Sequence, residues 1–367
     1  MNLRIKDSFL VLLRMGLWEK MPSALPHFPL SAAEWSLIFD MAKGQTVEGL
    51  IYEGIMLLPK AYFPPQEILL KWTVRVDAIE RYNKKVRNTL AVLAAGFSKH
   101  AIDFVLLKGL GLAENYAKPI LRVSGDIDLF FYDKASYNKA NDLLKAKGIK
   151  LHKGDHHSIF YTFHQIEVEH HTQMVDIFNP FCQKYISDFI AREKQNVQTI
   201  NVENNQLNIP STLTQLVQAN AHILKHYMGF GVGLRQFCDV ARLYHVYGMG
   251  IDGQQLKEVY AKLGMRKWMN LMHNFLIDQL GLETSKLPYV IDRKINTDNF
   301  LSDILISGNF GFHDTRFVSE GHANKINYKR DYIHKRVLPH LMKLLKITPN
   351  EVFWYPVSKV YTKLTGR

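Results

Sequence analysis

Asp126 and Asp128 stand one residue apart in RVSGDIDLFF, with Ile127 between them and Leu129, Phe130 and Phe131 following directly. The apolar run reads as a buried strand. Side chains alternate faces along a strand, so both carboxylates face one way, about 7 Å apart at Cα, while Ile127 faces the core. Two carboxylates about 5 Å apart repel by roughly 3 kcal/mol at an effective dielectric of about 20. A divalent cation between them offsets that repulsion. Oxygen ligands suit Mg²⁺ or Mn²⁺ better than zinc, and a pair of such ions is apparatus for displacement at phosphorus.

A second ion needs a third carboxylate. IEVEHH supplies Glu167 and Glu169 on one face of a further strand, with Val168 opposite. Glu169 is preferred over Glu167 as the third ligand. Lys108-Gly109 closes an earlier apolar run, where glycine lets the backbone approach a ligand and a helix start offers free N–H groups to phosphate. Lys108 can neutralise a triphosphate oxygen, and Arg122, four residues ahead of Asp126, is placed for phosphate as well.

Each of these has a plainer reading. An isolated Asp-x-Asp is usually a solvated strand edge, and only the order Lys-Gly, Arg, Gly-Asp-Ile-Asp and a later Glu lifts this pair above that. His156, His157, His164, His170 and His171 crowd into sixteen residues. With Asp126 or Asp176 they suggest a metal-dependent phosphoesterase, but adjacent strand histidines face opposite sides. His170 is otherwise expected to contact substrate or to orient Glu169. His222 and His226 share a helix face without the glutamate of a zinc-protease motif, so a packed or capping role is expected. Arg235 and Asp239, also four apart, read as a surface ion pair, or as a helical wall facing a nucleotide. Cys182 and Cys238 read as buried thiols.

The elements that must position these groups follow from the pattern. Residues 1–100 read as helical. Ser31 and Glu34 have capping-box spacing, and the stretch from Pro64-Pro65 to His100 is one long helix or two. Residues 101–209 read as a compact α/β core: strand, helix, strand, helix with Asp133 as N-cap and Gly148 beyond its end, then two strands joined at His164-Gln165. Residues 210–367 return to helix, with Thr212 and Gln215 as a second capping-box spacing, a glycine break in MGFGVG, a helix closed by Gly248, and a loop at 306–314. The expected fold class is therefore α+β: a mixed-sheet core flanked by helical regions.

The totals bound the function. The chain has 367 residues, enough for about two or three units, and a net charge of +12. That charge favours polyanionic partners without naming one. Seven Lys or Arg against one Asp between Lys325 and Lys346 make nucleic acid a further candidate partner. Two cysteines cannot frame a disulfide scaffold. No apolar run approaches a membrane span, so the expectation is a cytoplasmic protein without a membrane partner.

LLKGLGLAENYAKPILRVSGDIDLFF resembles the uncharacterised nucleotidyltransferase family of the polymerase-β-like superfamily, with fainter similarity at 166–171 and 212–247. The resemblance implies Mg²⁺-dependent transfer of a nucleoside monophosphate from an NTP such as ATP to a hydroxyl or phosphate acceptor on a small molecule, a protein or RNA. It implies Asp126, Asp128 and Glu169 as metal ligands and catalytic groups, with Lys108, Gly109, Arg122 and Gly125 around the nucleotide. The superfamily's usual Gly-Ser turn is here Lys108-Gly109. An inactive nucleic-acid-binding relative and the histidine-rich phosphoesterase are the alternatives.

Overall fold

The computed structural model describes residues 2–154, 158–229, 231–290, 292–311, 314 and 337–365. Four helices open the chain: α1 (Leu3–Trp18), α2 (Ala32–Gln45), α3 (Glu48–Met56) and α4 (Gln66–Ser98). The capping box forms as its spacing predicts. Ser31 Oγ accepts from the Glu34 amide while Glu34 accepts from the Ser31 amide. After Pro64-Pro65 a single helix of 33 residues runs unbroken, which settles the choice between one helix and two.

A five-stranded mixed sheet follows, in the order β1-β2-β5-β4-β3. Its strands are β1 (Val105–Leu107), β2 (Ile127–Phe130), β3 (His152–Lys153), β4 (Ile159–Phe163) and β5 (Ile166–His171). Strand β2 runs antiparallel to β1 and parallel to β5. The β4–β5 turn sits at His164 and Gln165, both at positive φ. Between the strands lie the short α5 (Gly109–Ala113) and α6 (Lys134–Ala146), the latter capped by Asp133. Gly148, at φ +75°, ends the α6 region where only glycine is unstrained.

One face of the sheet packs Ile127, Leu129, Val168 and Tyr161 against the C-terminal half of α4 and against α6. The other face turns Val105, Leu107 and Phe130 toward the helical body. After α7 (Gln183–Glu193) comes a separate hairpin, β6 (Gln198–Val202) and β7 (Asn205–Ile209), followed by helices α8 (Thr212–Met228), α9 (Leu234–Tyr247), α10 (Gly253–Lys262), α11 (Arg266–Asp278) and α12 (Asp298–Ser307). Leu338–Leu344 and the C-terminal helix Pro349–Thr365 complete the described chain. The cap of α8 is one residue earlier than its spacing suggests: Ser211 Oγ accepts from the Thr214 amide, and Thr212 lies inside the helix. The expected loop at 306–314 begins within α12, which runs to Ser307.

The N- and C-terminal helices share one apolar core. Polar ties cross between them: Trp18 Nε1 donates to Leu280 O at 2.6 Å, Arg14 Nη2 to Asp278 O at 2.7 Å, and Gln45 Nε2 to Ile304 O at 3.1 Å. The chain is thus α+β, a mixed sheet held in a helical shell. Among the described residues no helix is long and apolar enough to cross a membrane. Cys182 and Cys238 are buried and free.

Candidate active site

Backbone geometry places the first group. Lys108, between β1 and α5, is held at φ 48° and ψ −141°, a conformation that costs a non-glycine residue about 1–3 kcal/mol and tends to occur at functional positions. Gly109 follows at φ +30°. This bend brings Lys108 Nζ to 3.4 Å from Asp128 Oδ1. Burial lowers the Lys108 ammonium pKa, but Asp128 and the neighbouring carboxylates outweigh it and hold the group protonated.

The loop carrying the aspartates is pinned from α4. Asn83 Nδ2 donates to the carbonyls of Ile120 (2.6 Å) and Arg122 (2.8 Å), and the Tyr82 hydroxyl donates to Gly125 O at 3.0 Å. A Cβ at Gly125 would meet nothing within 4 Å. The fold therefore does not demand glycine there.

Register then assembles the acids. Asp128 stands beside Glu169 on the neighbouring parallel strand. Glu167, Glu169 and His171 share one face of β5, while Ile166, Val168 and His170 share the buried one. His171 Nε2 lies 2.7 Å from Asp128 Oδ1 and 3.6 Å from Glu169 Oε2. Ligand atoms of Asp128, Glu169 and His171 all lie within 4.8 Å of one another. Those carboxylates suit Mg²⁺ or Mn²⁺, and the imidazole extends the set toward transition metals.

Asp126 precedes β2, in the same cavity, and is not one of that three-residue cluster. Solvent reaches it inside the cavity, yet Asp128 foremost, and then the enclosing protein, push its carboxyl up to about 6 against the pull of Lys108. Asp128 goes the other way. Burial raises its pKa, but Lys108 and the His171 hydrogen bond outweigh burial and hold the carboxyl well below the usual range. Two neighbouring acids thus differ in how readily they take a proton.

The cavity in front of these groups is about 830 Å³. Helices and loops form its other wall. From α8 come His222, Lys225 and His226, and from the chain after β5 comes Asp176. Lys225 Nζ donates to Asp176 Oδ2 at 2.9 Å, holding that carboxyl ionised despite its burial. His222 Nδ1 is 4.0 Å from the same oxygen, beyond hydrogen-bond reach. Burial and the ammonium of Lys108 push the His222 imidazole down to about 4. Arg235, Gln236 and Asp239 come from α9, and Tyr355 and Lys359 from the C-terminal helix.

Arg122 departs from the expected phosphate contact. Its Nε and Nη2 donate to the two oxygens of Asp239 at 2.9 and 2.6 Å, and Nη1 donates to Val123 O at 3.2 Å. Tyr116 donates a further hydrogen bond to Asp239 at 2.7 Å. With both charges almost fully buried, the pair fastens α9 to the aspartate loop and leaves the guanidinium committed. Asp239 is accordingly the partner of Arg122, not of Arg235, and neither helix residue forms the expected surface pair.

The histidines also separate. His170 is fully buried, 2.9 Å from the Tyr161 hydroxyl and 2.8 Å from Asn141 Oδ1, among the rings of Phe97 and Phe131. It faces away from substrate and from Glu169, contrary to expectation. His164 occupies the β4–β5 turn, and His222 and His226 pack together on the opposite wall, their rings 4.2 Å apart. Of the described histidines of the strand cluster only His171 joins the acids; His156 and His157 lie outside the described residues. Most of the basic stretch from Lys325 to Lys346 is outside them as well. Sequence reasoning missed His171 as a cluster member, though the alternation that placed Glu169 applies equally two residues on. It also missed Lys225 and Tyr82, for which no local pattern gives a signal, and it offered Asp176 only as a ligand beside the histidines, where the structure instead pairs it with Lys225.

With this geometry in place, residues 31–275 match the model of a protein family described as an uncharacterised nucleotidyltransferase. The chain belongs to that family. The matched segment takes in α2 to α4, the sheet, α8 to α10 and most of α11, and so the strand wall and the α8 and α9 part of the helical wall, while Tyr355 and Lys359 lie beyond it. A crystal structure of an antigenic nucleotidyltransferase-like protein from Paracoccidioides brasiliensis is similar to 54% of this chain and 93% of its own, at 17% identity and a TM-score of 0.32. No curated protein matches.

Proposed function

We infer that this family member transfers a nucleoside monophosphate from an NTP to a hydroxyl or phosphate acceptor, with Mg²⁺ or Mn²⁺ as cofactor. The observation that carries the reading is the meeting of Asp128 and Glu169 across adjacent parallel strands, with His171 in reach and Asp126 beside them. Asp126, Asp128 and Glu169 would hold the cation, which supplies charge neutralisation at the phosphoryl oxygens.

In the transfer, an acceptor oxygen forms a bond to the α-phosphorus as the bond to pyrophosphate breaks. Glu169, at the open face of β5, accepts the acceptor's proton. Lys108 balances charge on the phosphate side, and the strained turn that aims it removes reorganisation at the moment of reaction. Gly125 gives the nucleotide close access to backbone. The strand and loop positions fix the groups, so catalysis here is mainly positioning and electrostatics.

Calorimetric titration with ATP and Mg²⁺ tests the reading. The wild type should bind the Mg-nucleotide, and a folded Asp126→Asn/Asp128→Asn variant should not. Equal binding by both would end the proposal. Incubating the protein with α-labelled NTPs and cell extract would then reveal the labelled acceptor.

A further inference from the structure

The open face of the sheet continues beyond the acids. Register sets Asp128 beside Glu169, Glu169 beside Phe160 and Phe160 beside His152, in one row from β2 across β5 and β4 to the edge strand β3. Residues directly opposite one another share a face. Alternation along β4 agrees: Tyr161 is buried opposite Val168, while Phe160 and Thr162 accompany Glu169 and Glu167.

An apolar ring is out of place in that row. Ile159 and Phe163, on the same strand, pack against the apolar core behind the sheet. Phe160 joins neither apolar core among the described residues; it is half-exposed and lines the cavity. His152, exposed on β3, lies nearly parallel to it, with ring centres 5.3 Å apart and planes inclined by 22°. Cross-strand ring pairs stabilise a sheet, which accounts for the contact between the two. It does not account for ring surface left to water next to carboxylates, an unfavourable exposure that a ligand would relieve. Other rings of the cavity are engaged. The Tyr82 hydroxyl donates to Gly125 O, Phe178 and Tyr355 meet edge to face with centres 4.9 Å apart, and Phe310 lies 4.8 Å from His226.

Neighbouring strands lie about 5 Å apart, so Phe160 stands one spacing from Glu169 and two from Asp128. The ribose of a nucleotide bridges such an interval between phosphate and base. We propose that Phe160 and His152 form a stacking platform for the nucleobase of a nucleotide whose phosphate or hydroxyl reaches the acids. Every base has a planar face, so the platform favours nucleotides over sugar phosphates without choosing among bases. For its ligand class this rests on the nucleotidyl-transfer reading above.

Two pairs of ligands, titrated calorimetrically into the full chain, test the platform. The first pair is ATP and ribose 5-triphosphate, each with Mg²⁺. The second is AMP and ribose 5-phosphate, with Mg²⁺ and saturating α,β-methylene ATP. In at least one pair the wild type should favour the base-bearing ligand by about fivefold or more. Preference in the first pair gives the platform to the donor's base, and in the second to a base on the acceptor. Phe160→Leu, which keeps apolar volume without a ring, should abolish the preference and leave sugar-phosphate affinity unchanged. Phe160→Tyr should keep the preference, and His152→Ala, at an exposed position, should lessen it. Equal binding within both pairs overturns the proposal, as does a preference that survives Phe160→Leu and His152→Ala. A wild type that binds neither triphosphate fails the transfer reading. AMP against ribose 5-phosphate, titrated without the analogue, then still reads the platform, and equal binding or none overturns it.

Discussion

The strand wall and the helical wall face each other across one cavity, and they obtain their charged groups differently. On the strand wall, Asp128, Glu169 and His171 converge because hydrogen-bond register sets two short strands side by side and alternation turns every second residue the same way. On the helical wall, Lys225 meets an aspartate 49 residues away, and Asp239 meets an arginine 117 residues away. Local periodicity governs the first wall. Packing of distant helices governs the second, and its charges show their purpose only after assembly.

The largest test strikes the seam between the walls. Asp239→Ala leaves Arg122 buried without its partner, and loss of one member of a buried pair costs about 3–5 kcal/mol. Urea unfolding should show a loss of that size. A loss under about 1 kcal/mol would mean that the seam does not fasten α9 to the aspartate loop.

Adjacent histidines give a sharper comparison within one strand. His170→Ala should destabilise the protein by roughly 2 kcal/mol by stranding the Tyr161 hydroxyl and Asn141, with Mn²⁺ affinity nearly unchanged. His171→Ala should do the reverse, weakening Mn²⁺ by about tenfold with the unfolding midpoint held. The opposite pattern would mean that the faces of β5 are assigned backwards.

Acidity separates the two aspartates. Asp126 is raised to about 6, chiefly by Asp128, and it must lose its proton to bind a cation. Affinity for Mn²⁺ should therefore fall as pH drops through that value, becoming about tenfold weaker at pH 5 than at pH 7. Asp128, held ionised far below this window, contributes no such dependence. A flat profile between those pH values would remove Asp126 from the cation site.

The smallest effects separate the two glycines. Gly109→Ala places a side chain at positive φ and should cost about 1 kcal/mol. Gly125→Ala meets nothing and should stay within about 0.5 kcal/mol of wild type in stability, while weakening Mg-nucleotide binding. Unchanged nucleotide binding would show that the ligand does not approach that backbone.

Much of the fold was legible for local reasons. The Ser31–Glu34 box, the Asp133 cap, the Gly148 terminus and the His164-Gln165 turn are each written within a few residues, and each forms. The Asp-x-Asp element and the acidic face of β5 were legible too, because a strand's two-residue period maps sequence onto faces. Arg122 was misread for a reason of the same kind: proximity in sequence to Asp126 suggested phosphate, but its partner Asp239 comes from a helix more than a hundred residues on. His170 was misread because clustering in sequence hid the alternation that sends it into the core.

Sequence by itself determined which residue types share a strand face, where the helices start and stop, and that two aspartates in an apolar run need a positive partner. Those properties depend on backbone periodicity and on groups a few residues apart. Tertiary structure alone decided that Glu169 and His171 stand at Asp128, that Asp239 occupies Arg122, and that Arg235 reaches the cavity tied to the Val123 carbonyl. Those depend on strand order and helix packing, where the neighbour of a charge is fixed by burying apolar surface elsewhere in the chain.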